Sequence, residues 1–135
     1  MATTTATITL SSSDLLSDEL SLATTCTLTG AGNSTGLIST SGLGRKTTAS
    51  ASQYTLFAAA DYTDDKAHKV YLKNTETAAG LYFLISIHDV EVGRIYAGDW
   101  ALLPWSADTT GDNADFKITP SSSASHTLEY MLFAE

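Results

Sequence analysis

An antiparallel all-β domain, a β-sandwich or jelly roll of about eight to ten strands, follows from three properties of this chain. Ser and Thr supply 37 of its 135 residues while Lys plus Arg supply 7. Threonine suits a pleated surface and serine and glycine suit turns, whereas long charged helix formers are scarce. Apolar residues recur at every second position in segment after segment, the repeat that sends alternate side chains to opposite faces of a strand. Turn-forming residues punctuate these segments roughly every 8 to 15 positions, and no segment has the length and spacing of the crossover helix that parallel strands require. At this length residues 1–135 make one domain, able to bury a core without disulfides or metals.

Residues 5–10 set Thr5, Thr7 and Thr9 against Ala6, Ile8 and Leu10, a first strand with a single apolar face. Residues 1–9 are placed to act as an N-terminal arm that adds a strand to a neighbour's sheet edge, where unpaired backbone groups await partners. The piece SDLLSDEL, residues 13–20, has a serine cap and leucines enough for one helical turn, but a bend between two strands is the better reading. Residues 20–28 repeat the alternation with Leu20, Leu22, Thr24, Cys26 and Leu28 on one side. Cys26 is the single cysteine, so no intrachain bridge forms, and a small buried side chain is expected there. Gly30, Gly32 and Gly36 make the following stretch a loop. Asn33-Ser34-Thr35 within it has the form of a glycosylation acceptor, which matters only in a secreted eukaryotic protein.

Gly42 and Gly44 predict a bulge or sharp bend within residues 37–45. In residues 54–60, Tyr54, Leu56, Ala58 and Ala60 alternate with Thr55, Phe57 and Ala59, a strand ending at the polar loop 61–65. The short strand VYLK, residues 70–73, closes at Asn74, and residues 75–80 form a turn. The stretch LYFLISIHDVEVGRIYAGDWALLPW, residues 81–105, holds the strongest strand signal. Leu81, Phe83, Ile85 and Ile87 alternate with Tyr82, Leu84, Ser86 and His88, and apolar residues on both faces predict a central strand covered on both sides. A turn and a second apolar run lead to Trp100 and Trp105. Their odd spacing turns them to opposite faces of an unbroken strand, one inward and one outward, unless Pro104 breaks it first. SADTTGDNAD, residues 106–115, reads as an exposed acidic loop; Phe116 and Ile118 then oppose Lys117 and Thr119 in a strand stopped by Pro120. Residues 127–133, TLEYMLF, close the chain with Leu128, Tyr130 and Leu132 facing one way.

The formal charge of −8 and pI near 4.6 oppose binding to a phosphate backbone, where affinity comes from Lys and Arg, so nucleic acid is not expected as a partner. Acidity favours solubility at high local concentration through mutual repulsion. No span of about 20 apolar residues exists, and MATTTATITL lacks the basic start and apolar core of a secretion signal. A soluble protein made in a cytoplasm, with no membrane partner, is the expectation.

Chemistry-bearing residues are present, but their patterns are bland. Asp64, Asp65 and His68 offer oxygen and imidazole ligands, yet read as a solvated acidic loop. Asp108, Asp112 and Asp115 with Gly111 lack the twelve-residue spacing and bidentate Glu of a calcium loop. His68, His88 and His126 each stand apart from any serine or cysteine in a catalytic motif, and Cys26 has no basic neighbour to lower its pKa. Glu91 and Glu129 are the apolar-flanked glutamates weighed for a glycosidase pair, and nothing in their spacing marks them as one. No catalytic residue, cofactor or metal site is therefore predicted, and the chain is expected not to be an enzyme. Trp100 and Trp105, with Tyr96, Arg94 and Arg45, are the candidate interface residues, since aromatic and arginine side chains anchor partner surfaces. The Thr-rich sandwich is thinly filled, so subunit contacts are expected to add stability by mass action.

TGLISTSGLGRKTT (residues 35–48), ADYTDDKAHKVYLKNT (60–75), VGRIYAGDWALLPW (92–105) and the closing HTLEYMLFAE together resemble the small virion structural proteins of tailed bacteriophages, particularly those infecting cyanobacteria and other aquatic bacteria. The similarity covers most of the chain. It implies a non-enzymatic β-sandwich that decorates or cements the capsid surface, commonly as a homotrimer bound across major capsid protein subunits. It implies no catalytic residues. The alternative is a tail or fibre component that binds a host surface glycan through Trp100, Trp105 and the loop 106–115; an enzyme acting on saccharides is a remote third.

Overall fold

The computed structural model describes residues 4–15, 20–28, 37, 39–64, 66–109 and 114–134. Among them are eleven strands: β1 (Thr5–Ser12), β2 (Leu20–Thr27), β3 (Ser39–Thr40), β4 (Gly44–Thr48), β5 (Tyr54–Phe57), β6 (Ala67–Asn74), β7 (Tyr82–Ile87), β8 (Val90–Tyr96), β9 (Trp100–Ser106), β10 (Phe116–Pro120) and β11 (His126–Ala134). The described residues contain no α-helix, only a 3-10 turn at Ala59–Asp61. All pairings are antiparallel.

The topology is set at His88–Asp89. Both residues have positive φ, 54° and 57°, the backbone of a two-residue turn whose twist matches that of the strands it joins. Here the chain doubles back on itself: β7 pairs β8, β6 pairs β9, β5 pairs β10 and β4 pairs β11. This is one long antiparallel ribbon, rolled so that successive rungs fall into alternate sheets. One sheet has the order β3-β11-β6-β9 with β4 also on β11, the other β5-β10-β7-β8. Eight strands wound in this way are a jelly roll. The count exceeds the expected eight to ten partly because one edge strand is split: β3 and β4 both lie along β11, parted by the bend at Gly42 (φ 73°). Ser41 bridges that break, its N–H donating to the Leu132 carbonyl (3.0 Å) and its Oγ accepting from the Leu132 N–H (2.9 Å).

Period-two alternation places the core between the sheets. Val70, Leu72, Leu128, Leu132 and Trp105 point inward from one sheet and Phe83, Ile85, Ile95, Phe116 and Ile118 from the other. Phe57 sits among Tyr130, Trp105, Tyr62 and Phe116, with ring centroids 5.7 to 6.3 Å away, the distances and tilts at which aromatic pairs attract beyond their buried area. Gly44 lies opposite Tyr130, and a Cβ there would meet the Tyr130 ring at 2.8 Å. That close approach explains a glycine inside β4.

Three expectations need correction. The strand over residues 54–60 ends at Phe57, because the Ala59 N–H turns out of the sheet to donate to Asp115 Oδ1 (2.9 Å). β7 is interior to its sheet but unevenly covered: Phe83 and Ile85 are buried in the core, whereas on the other face Tyr82 and Leu84 are half-buried and only Ser86 is buried. Cys26 is exposed rather than buried. It lies in the β1–β2 hairpin, which forms a two-stranded sheet of its own, and among the described residues no second layer lies over Cys26.

The hairpin stands off the jelly roll. Residues 5–9, expected to add a strand to a neighbour's sheet, pair instead with β2 from Thr5↔Thr27 to Ser12↔Leu20, and residues 1–3 lie outside the described residues. Leu28 donates its N–H to the Thr4 carbonyl and Leu37 to that of Leu28 (2.9 Å each), and both leucines are buried. The Ser13–Leu15 stretch bends, Ser12 Oγ accepting from the Leu15 N–H (3.1 Å). Residues 16–19 and the loop with Gly30, Asn33 and Gly36 lie outside the described residues.

Candidate functional site

β9 runs unbroken through Pro104, and the two tryptophans do face opposite ways. β9 is the outer strand of its sheet, where a missing N–H is tolerated. Trp105 is 3% exposed, its indole N–H donating to the Ala114 carbonyl (2.7 Å) and its ring set against Phe57, Tyr62 and His68. Its assignment as an interface residue is therefore corrected: the ring belongs to the core. Trp100 is 55% exposed on the outer face of the larger sheet.

Register places Trp100 at one end of a cross-strand row: Arg45 on β4, Glu129 on β11, Lys73 on β6 and Trp100 on β9. Arg45 donates through Nε and Nη2 to Glu129 Oε2 (3.3 and 3.2 Å). Partial burial first, and then the Glu129 charge, push the phenol of Tyr71 above the ordinary tyrosine range. The next row is apolar, Met131, Tyr71 and Leu102. Between this row and the base of the hairpin runs a groove of about 330 Å³, bordered by Ala6, Leu28, Tyr71, Trp100, Leu102 and Met131.

Tyr96 and Arg94 face outward from the smaller sheet instead. The Arg94 guanidinium lies over the Tyr82 ring (4.9 Å to its centroid), Arg94 Nε donates to Glu91 Oε1 (3.3 Å), and Tyr96 packs on Tyr82 (5.3 Å). Tyr82 first and Glu91 second hold Arg94 more firmly charged than usual. The five candidate residues thus fall into one core residue and two pairs on different sheets.

The polar residues weighed for chemistry are used to hold loops. Asp64 accepts from the N–H and Oγ1 of Thr109 (3.2 and 2.7 Å). His68 is buried between Tyr62 and Trp105, each 5.5 Å away, and Asp65 lies outside the described residues. Asp115 accepts from Ala59 and is 4.0 Å from Lys117, while Gly111 and Asp112 lie outside the described residues. Among the described residues no cluster of three or more His, Cys, Asp or Glu has the spacing to hold a metal ion.

Two polar contacts escaped the sequence. His126 does meet a serine: its Nε2 is 3.2 Å from Ser121 Oγ, and Nδ1 is 2.6 Å from the Ala124 carbonyl. A carbonyl accepts only, so Nδ1 carries a proton and Nε2 faces the hydroxyl. The Ser121 oxygen also accepts from the Tyr82 N–H (3.2 Å), and the fully buried His126 ring packs on Phe83 (5.8 Å). The pair ties the β10–β11 turn to β7. Asn74, also fully buried, donates through Nδ2 to the carbonyls of Ile95 (3.1 Å) and Leu81 (3.3 Å) and accepts from the Glu76 N–H (3.1 Å), joining the two sheets at one end. An asparagine ending the apolar run VYLK was its one signal in the sequence. Compared with protein-family models, with curated proteins and with solved structures, the chain matches none.

Proposed function

We propose that this chain is a non-enzymatic structural protein of a tailed-phage virion, a head cement that binds as a homotrimer across major capsid protein subunits on the capsid surface. The observation that supports this most is the outer face of the larger sheet. There Trp100 stands exposed in one row with Lys73, Glu129 and Arg45. Trp, Tyr and Arg are the residue types that dominate binding energy at protein interfaces, and a sheet holds them in fixed register. Jelly rolls recur among viral capsid domains, a fold-level analogy that raises the prior and assigns no role to a residue. The sequence resemblance to small virion proteins points the same way.

The test is to heat capsids with and without the purified protein while following genome release. The protein is expected to raise the release temperature and to be present in hundreds of copies per particle. Trp100→Ala should weaken capsid binding about tenfold or more. Equal release temperatures would sink the reading.

A second reading, a tail or fibre component that binds a host glycan, is favoured by the exposed Trp100 indole beside the groove, since flat aromatic rings stack on sugars and lectins also use jelly rolls. Saturable binding on a glycan array, lost in Trp100→Ala, with a few to tens of copies per particle, would support it over the first.

A further inference from the structure

We propose that the β1–β2 hairpin is a self-association arm whose apolar face is covered by a second copy of this chain. The inference deepens the cement reading and rests on it only for its biological purpose.

The strand register divides the ribbon into two unlike faces. Thr5↔Thr27, Thr7↔Thr25, Thr9↔Ala23 and Ser11↔Ser21 make one face, hydroxyl-bearing almost throughout, with Thr7 and Thr25 bonded to each other (2.8 Å). Ala6↔Cys26, Ile8↔Thr24, Leu10↔Leu22 and Ser12↔Leu20 make the other, largely apolar. Among the described residues, only the base of this face meets the rest of the molecule, where Ala6 and Leu28 border the groove. Beyond it Ile8, Leu10 and Leu22 are 38, 50 and 47% exposed. A two-stranded ribbon is marginal in water and needs a further strand or a covering layer, and an uncovered apolar stripe of this kind marks an interaction surface.

Charge identifies the occupant. The protein carries 15 acidic and 7 basic residues, yet neither β1 nor β2 contains a single charged one. Two copies at −8 repel wherever their acidic surfaces meet. Away from the link between the strands, which carries Asp14, Asp18 and Glu19, the ribbon is a surface they can share without bringing like charges together. A strongly charged foreign partner would find nothing here to pair with, whereas identical stripes offer leucine for leucine.

Area fixes how much of each copy takes part. Eight residues per strand give a ribbon about 27 Å long and about 10 Å wide, or about 270 Å² of face per copy. Two such faces together bury about 540 Å², well short of the roughly 1,000 Å² that a specific interface needs. The neighbouring apolar row of Met131, Tyr71 and Leu102 is half-buried and adds little to this, so the contact is a weak, concentration-dependent one.

Sedimentation velocity at roughly 1 to 100 µM tests this, a range that spans typical weak self-association. The intact chain should sediment heavier than its 14.2 kDa monomer. Leu10→Ser with Leu22→Ser should weaken association by at least about 100-fold, about tenfold for each half-exposed leucine, with an unchanged circular dichroism spectrum. A short bismaleimide should join two wild-type copies through Cys26, a readout that needs no folded variant. A wild-type chain that stays monomeric and uncrosslinked overturns the inference, as does a double variant that associates as well as wild type. If the monomeric chain still raises the capsid release temperature, the arm falls and the cement reading stands. If the chain associates through the hairpin yet leaves capsids unprotected, the arm stands and the cement reading falls.

Discussion

Trp100 and Trp105 show how much one position of parity decides: five residues apart on one strand, one is an exposed plane and the other a core ring with its N–H bonded to Ala114. Replacing Trp105 by Ala removes a ring packed on Phe57, Tyr62, His68 and Phe116 and should cost about 3 to 5 kcal/mol in urea unfolding. Trp100→Ala should cost less than about 1 kcal/mol. In Trp100→Phe the remaining fluorescence should be blue-shifted and resist acrylamide; ready quenching would contradict the burial of Trp105.

Asp89, in the β7–β8 turn, bonds to Lys117 Nζ (2.8 Å). That hydrogen bond first, and the lysine charge second, hold its carboxyl below the ordinary range. A carboxyl lowered on folding contributes stability above the unfolded pKa and loses it as pH falls through the folded one. In Lys117→Met the Asp89 midpoint, read by carbon NMR, should rise to the ordinary carboxylate range, and the acid-side fall in stability below about pH 4 should flatten.

At the scale of elements, the sheets are joined by groups that hydrophobic patterning does not announce. Asn74 ends β6, yet its side chain reaches the carbonyls of Ile95 at the end of β8 and Leu81 before β7. Removing the amide strands buried backbone acceptors, each costing about 1 to 3 kcal/mol. Asn74→Ala should therefore lose about 2 to 4 kcal/mol in chemical denaturation. Faster amide exchange should appear first around Leu81 and Ile95. A loss no greater than that of an exposed-site control would show that the two sheets hold without this bridge.

For the whole molecule, net charge and the hairpin act against each other. The proposed association through the apolar stripe would be opposed by the repulsion of two copies at −8 and helped by screening, so raising NaCl from about 0.02 to about 0.2 M should tighten it. An interface built on the Arg45–Glu129 and Arg94–Glu91 pairs would weaken instead, which makes the sign of the salt effect diagnostic.

Alternation, the glycines and the lack of a crossover helix were enough to read the antiparallel all-β class, the positions of most strands, the bend near Gly42 and the opposed tryptophans, because these are local properties that each segment carries with it. Pairing is different. Backbone donors and acceptors are the same in every strand, so nothing local says that β4 meets β11 or β6 meets β9; the roll of the ribbon about the His88–Asp89 turn decides it. The contacts of Ser121 with His126 and of Asn74 with two carbonyls depend on that roll, as does the placement of Arg45 and Trp100 in one row and of Tyr96 on another sheet. Cys26 marks the same boundary. Its strand and its face could be read from the chain, but exposure depends on whether a second layer lies above, and only the tertiary structure leaves that hairpin uncovered.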